Sequence, residues 1–173
     1  MKQALAKECN DGKQGFTLIE LMIVIAVISI LAIVSVPKYQ AITEHYKLES
    51  TAQIVVGQLR YAKQLAMDQR KGIYLVLDTN TVEVLDAGNK EYGGLQAFES
   101  GIIFDTSSAE NNGLMIESGK AKGLPHVVYD PRGFIDNSPV NGEAVNIVLS
   151  GVRSGSSVVI VVELETGNIR LEW

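Results

Sequence analysis

Hydrophobic and polar residues are unevenly spread along this chain, and their spacing changes character three times. Residues 1–15, MKQALAKECNDGKQG, are polar and carry no apolar pattern that could pack. From Phe16 to Val36 come 21 residues that are almost entirely apolar, with one charge, Glu20. As a helix that run is about 30 Å long, enough to cross a bilayer. Beyond Pro37 the pattern becomes periodic. Leu48, Ala52, Val55, Leu59, Ala62 and Ala66 recur at spacings of four and three, the stripe of an amphipathic helix. Glu49, Gln53, Gln58, Arg60, Lys63 and Gln64 fall between them on the wet side. Gly57 weakens the middle by about 1 kcal/mol, too little to break a helix packed along one face. Lys71-Gly72 supplies a stop. The spacing predicts one helix from Phe16 to about Arg70, 55 residues and roughly 80 Å long. Pro37 lacks a backbone donor and is expected to kink it; a break there into two helices is the alternative.

From Ile73 onward the period shortens to that of β-strands separated by turn residues. Ile73–Leu77, Thr81–Leu85, Gly101–Phe104, Gly113–Glu117, His126–Tyr129, Val145–Leu149, Ser157–Leu164 and Asn168–Glu172 are the predicted strands. Asp78-Thr79-Asn80 and Thr166-Gly167 read as hairpin turns. Sequential strands pair antiparallel by default. Ile169, Leu171 and Trp173 alternate with Arg170 and Glu172, as in a final strand with one buried face. Asp86–Ser100, Ser107–Asn112 and Asp136–Glu143 are rich in Gly, Asn and Ser and read as loops. The expected fold is α+β: a long N-terminal helix, apolar in its first half and amphipathic in its second, packed on antiparallel sheet.

Composition narrows the chemistry. The 173 residues carry a net charge of −5, with 46% hydrophobic and 20% charged residues, which suits a packed domain rather than a disordered acidic tail. The acidic balance disfavours nucleic acid as a partner. One cysteine, Cys9, excludes an internal disulfide framework and a multi-cysteine zinc site. His45 and His126 are the only histidines and share no ligand spacing, so each reads as a surface or half-buried residue. No nucleophile elbow, phosphate loop or dinucleotide fingerprint is present. Asp130 and Asp136 flank a turn where calcium is the one metal worth weighing, and solvated turn residues are the stronger reading. The expectation is a protein that is not an enzyme and carries no cofactor or metal.

A secretory signal predicts a shorter apolar core and a small-residue cleavage site, neither of which fits the run from Phe16. A plain anchor leaves Glu20 unexplained, since a carboxylate in hydrocarbon costs roughly 2.5–3.5 kcal/mol on insertion scales. The stretch Lys13-Gln14-Gly15-Phe16-Thr17-Leu18-Ile19-Glu20-Leu21 resembles the processing motif of type IV pilins and type II secretion pseudopilins. The resemblance implies that residues 1–15 are a leader and that a prepilin peptidase cuts between Gly15 and Phe16. It further implies that Phe16 becomes the N-methylated first residue, and that Cys9 leaves with the leader. Glu20 would then pair with the amino-terminal charge of a neighbouring subunit during assembly. A helix-start carboxylate that merely favours the N-terminal dipole is the plainer alternative.

Further on, Asp130-Pro131-Arg132-Gly133-Phe134 and Thr166-Gly167-Asn168-Ile169-Arg170 resemble the glycine turn and closing hairpin of the pseudopilin H / minor pilin T group. The domain plan implied is a leader at 1–15, a transmembrane or filament-core helix at 16–37 and a periplasmic pilin-like domain at 38–173. The implied partners are the prepilin peptidase, other pseudopilins or pilins, an inner-membrane assembly platform and the lipid bilayer. Two functions follow: a minor pseudopilin of the type II secretion pseudopilus, helping to export folded proteins across the outer membrane, or a minor type IV pilin in pilus assembly, adhesion or DNA uptake. Removing residues 1–15 leaves −6, a charge that repels phosphate and favours the first.

Overall fold

In the computed structural model, the structure describes residues 15–108, 111, 114, 116, 121–136, 144–164 and 166–173, apart from the side chains of Val34 and Pro37. The chain divides after Tyr39 into two compact units. One helix, α1 (Leu18–Gln69), runs without interruption through position 37, so no break separates two helices there. It ends at Arg70, which takes the left-handed conformation (φ 53°) one residue before the predicted Lys71-Gly72 stop.

Eight strands follow: β1 (Ile73–Asp78), β2 (Thr81–Asp86), β3 (Glu91–Ala97), β4 (Ile102–Phe104), β5 (His126–Tyr129), β6 (Ala144–Gly151), β7 (Ser157–Glu163) and β8 (Ile169–Glu172). They form two antiparallel sheets of four, ordered β3-β2-β1-β5 and β4-β6-β7-β8. Thr79-Asn80 closes the first hairpin, with Asp78 opposite Thr81, and Thr166-Gly167 lies in the turn between β7 and β8.

The amphipathic stripe explains how these parts cohere. Leu48, Ala52, Val55, Leu59, Ala62 and Ala66 are all buried in one cluster with Ile73, Leu75 and Leu77 of β1, Val127 and Tyr129 of β5, and Ile147, Leu149 and Ile160 of β6 and β7. Both sheets thus contribute to the core beneath one helix face. The alternate residues of β1, Tyr74 and Val76, form a smaller cluster with Leu85, Val128 and Ala121, so that sheet is covered on both faces.

Three expectations change. The stretch Asp86–Ser100, read as loop, contains β3. This edge strand alternates little because its residues are mostly exposed, and Gly93 and Gly94 bear no side chain to reveal a buried face. Trp173, expected on the buried face of the last strand, is 60% exposed while Ile169 and Leu171 are half-buried. His126 is completely buried rather than superficial, with Nδ1 2.8 Å from the Leu124 carbonyl oxygen. The predicted strand Gly113–Glu117 lies largely outside the described residues, and its described members, Leu114 and Ile116, belong to no strand. The loops Ser107–Asn112 and Asp136–Glu143 also fall mainly outside them.

Candidate functional site

The amino-terminal segment begins with a helix cap. Thr17 Oγ1 accepts a hydrogen bond from the Glu20 amide (3.2 Å), and its carbonyl accepts one from the Leu21 amide (3.2 Å). Thr17-Leu18-Ile19-Glu20 therefore has the spacing of a capping box, which places a carboxylate in the first turn, where the helix dipole favours it. Phe16 is 79% exposed. A Cβ added to Gly15 would meet nothing within 4 Å, so local packing gives no reason for glycine there.

The helix that follows contains an 18-residue window of mean hydropathy 2.9, none of it buried, which by length and composition suffices to cross a membrane. Its two serines are internally satisfied: Ser29 Oγ donates to the Ile25 carbonyl (2.7 Å) and Ser35 Oγ to that of Leu31 (2.8 Å). Such pairing removes the polar penalty a hydroxyl would bring to hydrocarbon.

In the second unit the two C-terminal motifs converge on one turn of α1. Gly133 (φ 85°) lies under Met67, where an added Cβ would come 3.0 Å from the sulfur. Gly167 (φ 64°) lies under Lys63, where it would come 2.7 Å from Nζ. Lys63 Nζ donates to the Thr166 carbonyl at 3.1 Å. Both turns need glycine for conformation and for close approach. Asp130 holds the first turn together. Its Oδ1 accepts from the amides of Arg132 and Phe134 (2.9 Å each), and its Oδ2 meets the Arg132 guanidinium at 2.7 Å. Burial pushes this carboxyl up, but the Phe134 and Arg132 bonds outweigh it and hold it below the usual range. With both oxygens engaged inside the turn, Asp130 is a turn-former rather than a calcium ligand. Among the described residues no group of three or more His, Cys, Asp or Glu could hold a metal ion. His45 and His126 are not brought together.

Two polar arrangements had no signal in the sequence, because their partners are far apart in it. Glu44 Oε1 accepts from the amides of Arg153 (3.0 Å) and Ser154 (3.1 Å), clamping the β6–β7 tip to the helix. Burial raises this carboxyl, and the two amides more than compensate, lowering it overall. At the other end Lys71 Nζ donates to Tyr92 Oη (2.6 Å) and Asp86 Oδ2 (2.9 Å), tying the helix exit to the β2–β3 hairpin. The Lys71 ammonium, with the Lys90 and Gly88 amides, holds the Asp86 carboxyl far below its ordinary value.

The family described as "Prokaryotic N-terminal methylation motif" matches residues 10–36. The type IV major pilin protein PilE of Neisseria gonorrhoeae is 30% identical over 112 residues, 64% of this chain and 66% of that pilin. A fimbrial protein of Pseudomonas aeruginosa is 43% identical over 62 residues, 36% of this chain and 40% of its own length. The chain thus spans at most about two-thirds of these curated relatives. In three dimensions it is similar to the type IV minor pilin FimU of Pseudomonas aeruginosa, with TM-score 0.53, 14% identity, and coverage of 76% of this chain and 92% of that one. It is also similar to the minor pseudopilin EpsH of the Vibrio cholerae type 2 secretion system, with TM-score 0.51, 12% identity and coverage of 73% and 96%. At such identities these two likenesses speak for the fold. With the methylation motif and the pilin relatives beside them, they place the chain in the type IV pilin-like family, which takes in pilins and pseudopilins.

Proposed function

We propose that the protein is a minor pseudopilin, a structural subunit of a type II secretion pseudopilus that helps move folded proteins across the outer membrane. In this reading a prepilin peptidase removes residues 1–15 by cutting after Gly15, and Phe16 becomes the methylated amino terminus. Residues 16–37 hold the subunit in the inner membrane before assembly and in the filament core afterwards, with Pro37 kinking the helix. Residues 38–173 form a periplasmic domain. Glu20 meets the amino-terminal charge of a neighbour and guides entry into the filament from an inner-membrane assembly platform. The observation that carries the reading is a capped, wholly exposed apolar helix directly behind the Gly15-Phe16 pair. Its side chains need a cover the chain itself does not supply.

The second reading, a minor type IV pilin, is favoured by the pilin relatives and the FimU likeness. Charge supports the first over a pilin that takes up DNA. Arg132 is paired with Asp130, and Arg170 with Glu163 and Glu172, so both lie beside carboxylates. The fragment from Lys38 to Trp173 has 12 Lys and Arg against 17 Asp and Glu. In a fluorescence-anisotropy titration at about 150 mM salt, this fragment is expected to bind duplex DNA no better than the roughly 10⁻⁴–10⁻⁶ M of non-specific binders. It is expected to capture secretion pseudopilins in the same buffer. Tighter DNA binding without pseudopilin capture would replace the secretion reading with the pilus one.

A further inference from the structure

Exposed apolar and aromatic side chains from three separated parts of the sequence gather at residues 44–46 of α1. The Trp173 ring, 60% exposed, lies with its centroid 4.9 Å from that of His45. Tyr46, 64% exposed, is the next residue, its ring centroid 6.4 Å from that of His45. Val152, 63% exposed, sits in the β6–β7 tip that Glu44 holds against the helix through Arg153 and Ser154. The Arg153 side chain is exposed beside it. The core makes no use of this patch, since the first buried residue of α1 is Leu48.

Tryptophan, tyrosine, an aliphatic side chain and an arginine are the residue types that settle at a bilayer boundary, with apolar bodies among acyl chains and polar tips in water. The nearest carboxylate of the patch, Glu44, is directed at two backbone amides, which leaves the arginine to set the local sign. Reach is assured by chain length alone. His45 follows Val36 by nine positions, at most about 30 Å of fully extended chain. If residues 16–36 span a membrane, the patch is held at high effective concentration over that membrane's surface. We propose that Trp173, Tyr46, Val152 and Arg153 form a lipid-docking surface that rests the second unit on an anionic headgroup layer before the subunit enters a filament. The proposal rests on the reading of residues 16–36 as a membrane span.

The single tryptophan makes the test direct. The full chain is reconstituted at high dilution into phosphatidylcholine/phosphatidylglycerol vesicles, with flotation scored first. Trp173 emission is then read with lipids brominated near the glycerol end of the acyl chains. Bromolipids are expected to remove most of the emission, and Tyr46→Asp with Val152→Asp to restore it, with near-UV circular dichroism unchanged. A chain that floats with Trp173 unquenched overturns the docking surface and leaves the membrane span standing. So does quenching that survives both substitutions. Blue-shifted but unquenched emission overturns it in favour of a protein partner on the patch. A chain that fails to float removes the membrane reading itself and the docking proposal with it.

Discussion

Gly57 and Leu59 stand two residues apart on α1, about 200° around its axis, and should respond to alanine with opposite signs. Leu59 is completely buried in the cluster shared by both sheets. Truncating a buried leucine removes its transfer energy and leaves a cavity, together about 3–5 kcal/mol where the site cannot collapse. Backbone from two sheets and a helix surrounds Leu59, so the upper half of that range is expected. Gly57 is exposed, helical, and has nothing within 4 Å of an added Cβ. Alanine there stiffens the unfolded chain without a clash and should stabilise by about 0.5–1 kcal/mol. Every residue of the main core falls after position 47, so the fragment Lys38–Trp173 is the object to melt. By circular dichroism Leu59→Ala should lower Tm by more than ~10 °C and Gly57→Ala should raise it by a few degrees. A Leu59→Ala melt within ~3 °C of the parent, or a lower Tm for Gly57→Ala, would refute the packing of this helix face.

Three further outcomes are expected. Gly15→Val should accumulate the uncut chain in membranes, because local packing tolerates the side chain and only a peptidase would object; mass spectrometry showing a normal Phe16 terminus would defeat this. Glu20→Ala should insert as well as the parent or better, yet enter filaments less; an unchanged yield of co-purified subunits would count against a pairing role. The Asp86, Asp130 and Glu44 carboxyls are all held below their ordinary values of 3.8, 3.8 and 4.5, so the folded state binds protons less readily than the unfolded chain. Their contribution is then complete above about pH 5 and is lost as acid falls through and below pH 4. Urea midpoints of the Lys38–Trp173 fragment should therefore be flat from pH 7 to 5 and decline below; a midpoint that rises on acidification would contradict the hydrogen-bond assignments.

What could be read from residue order was whatever repeats over short distances. The spacing of Leu48, Ala52, Val55, Leu59, Ala62 and Ala66 located the helix face, and all six are buried. Seven of the eight strands follow from β-branched runs, whereas β3 escaped because an exposed edge with two glycines has no alternation to detect. Division into two sheets was not legible, since it depends on which distant strands pair. The same holds for the Glu44 clamp and the Lys71–Asp86–Tyr92 tie, joined only once the chain has folded. Trp173 kept the alternation of β8 but runs past its burial, where a stacked His45 takes the place of a core. Of the amino-terminal residues, Gly15 and Glu20 were legible as a motif because an enzyme and a neighbour would have to read them locally too.

The glycine turns under Lys63 and Met67 also set a timetable. Lys63 is joined to Thr166 across 103 positions, and Glu44 to Ser154 across 110. The amphipathic face of α1 is therefore synthesised long before the strands that cover it. Through most of translation it has only β1 and β2 to lean on, and an isolated amphipathic helix is marginal in water. Closure by such distant contacts is slow, because loop entropy must be overcome before burial repays it. The last strand to emerge completes the shelter of a helix that emerged among the first. A stop or frameshift near residue 160 should thus strip the chain of its earliest helix as surely as of its final strand, and expose that helix to proteases or wrong partners.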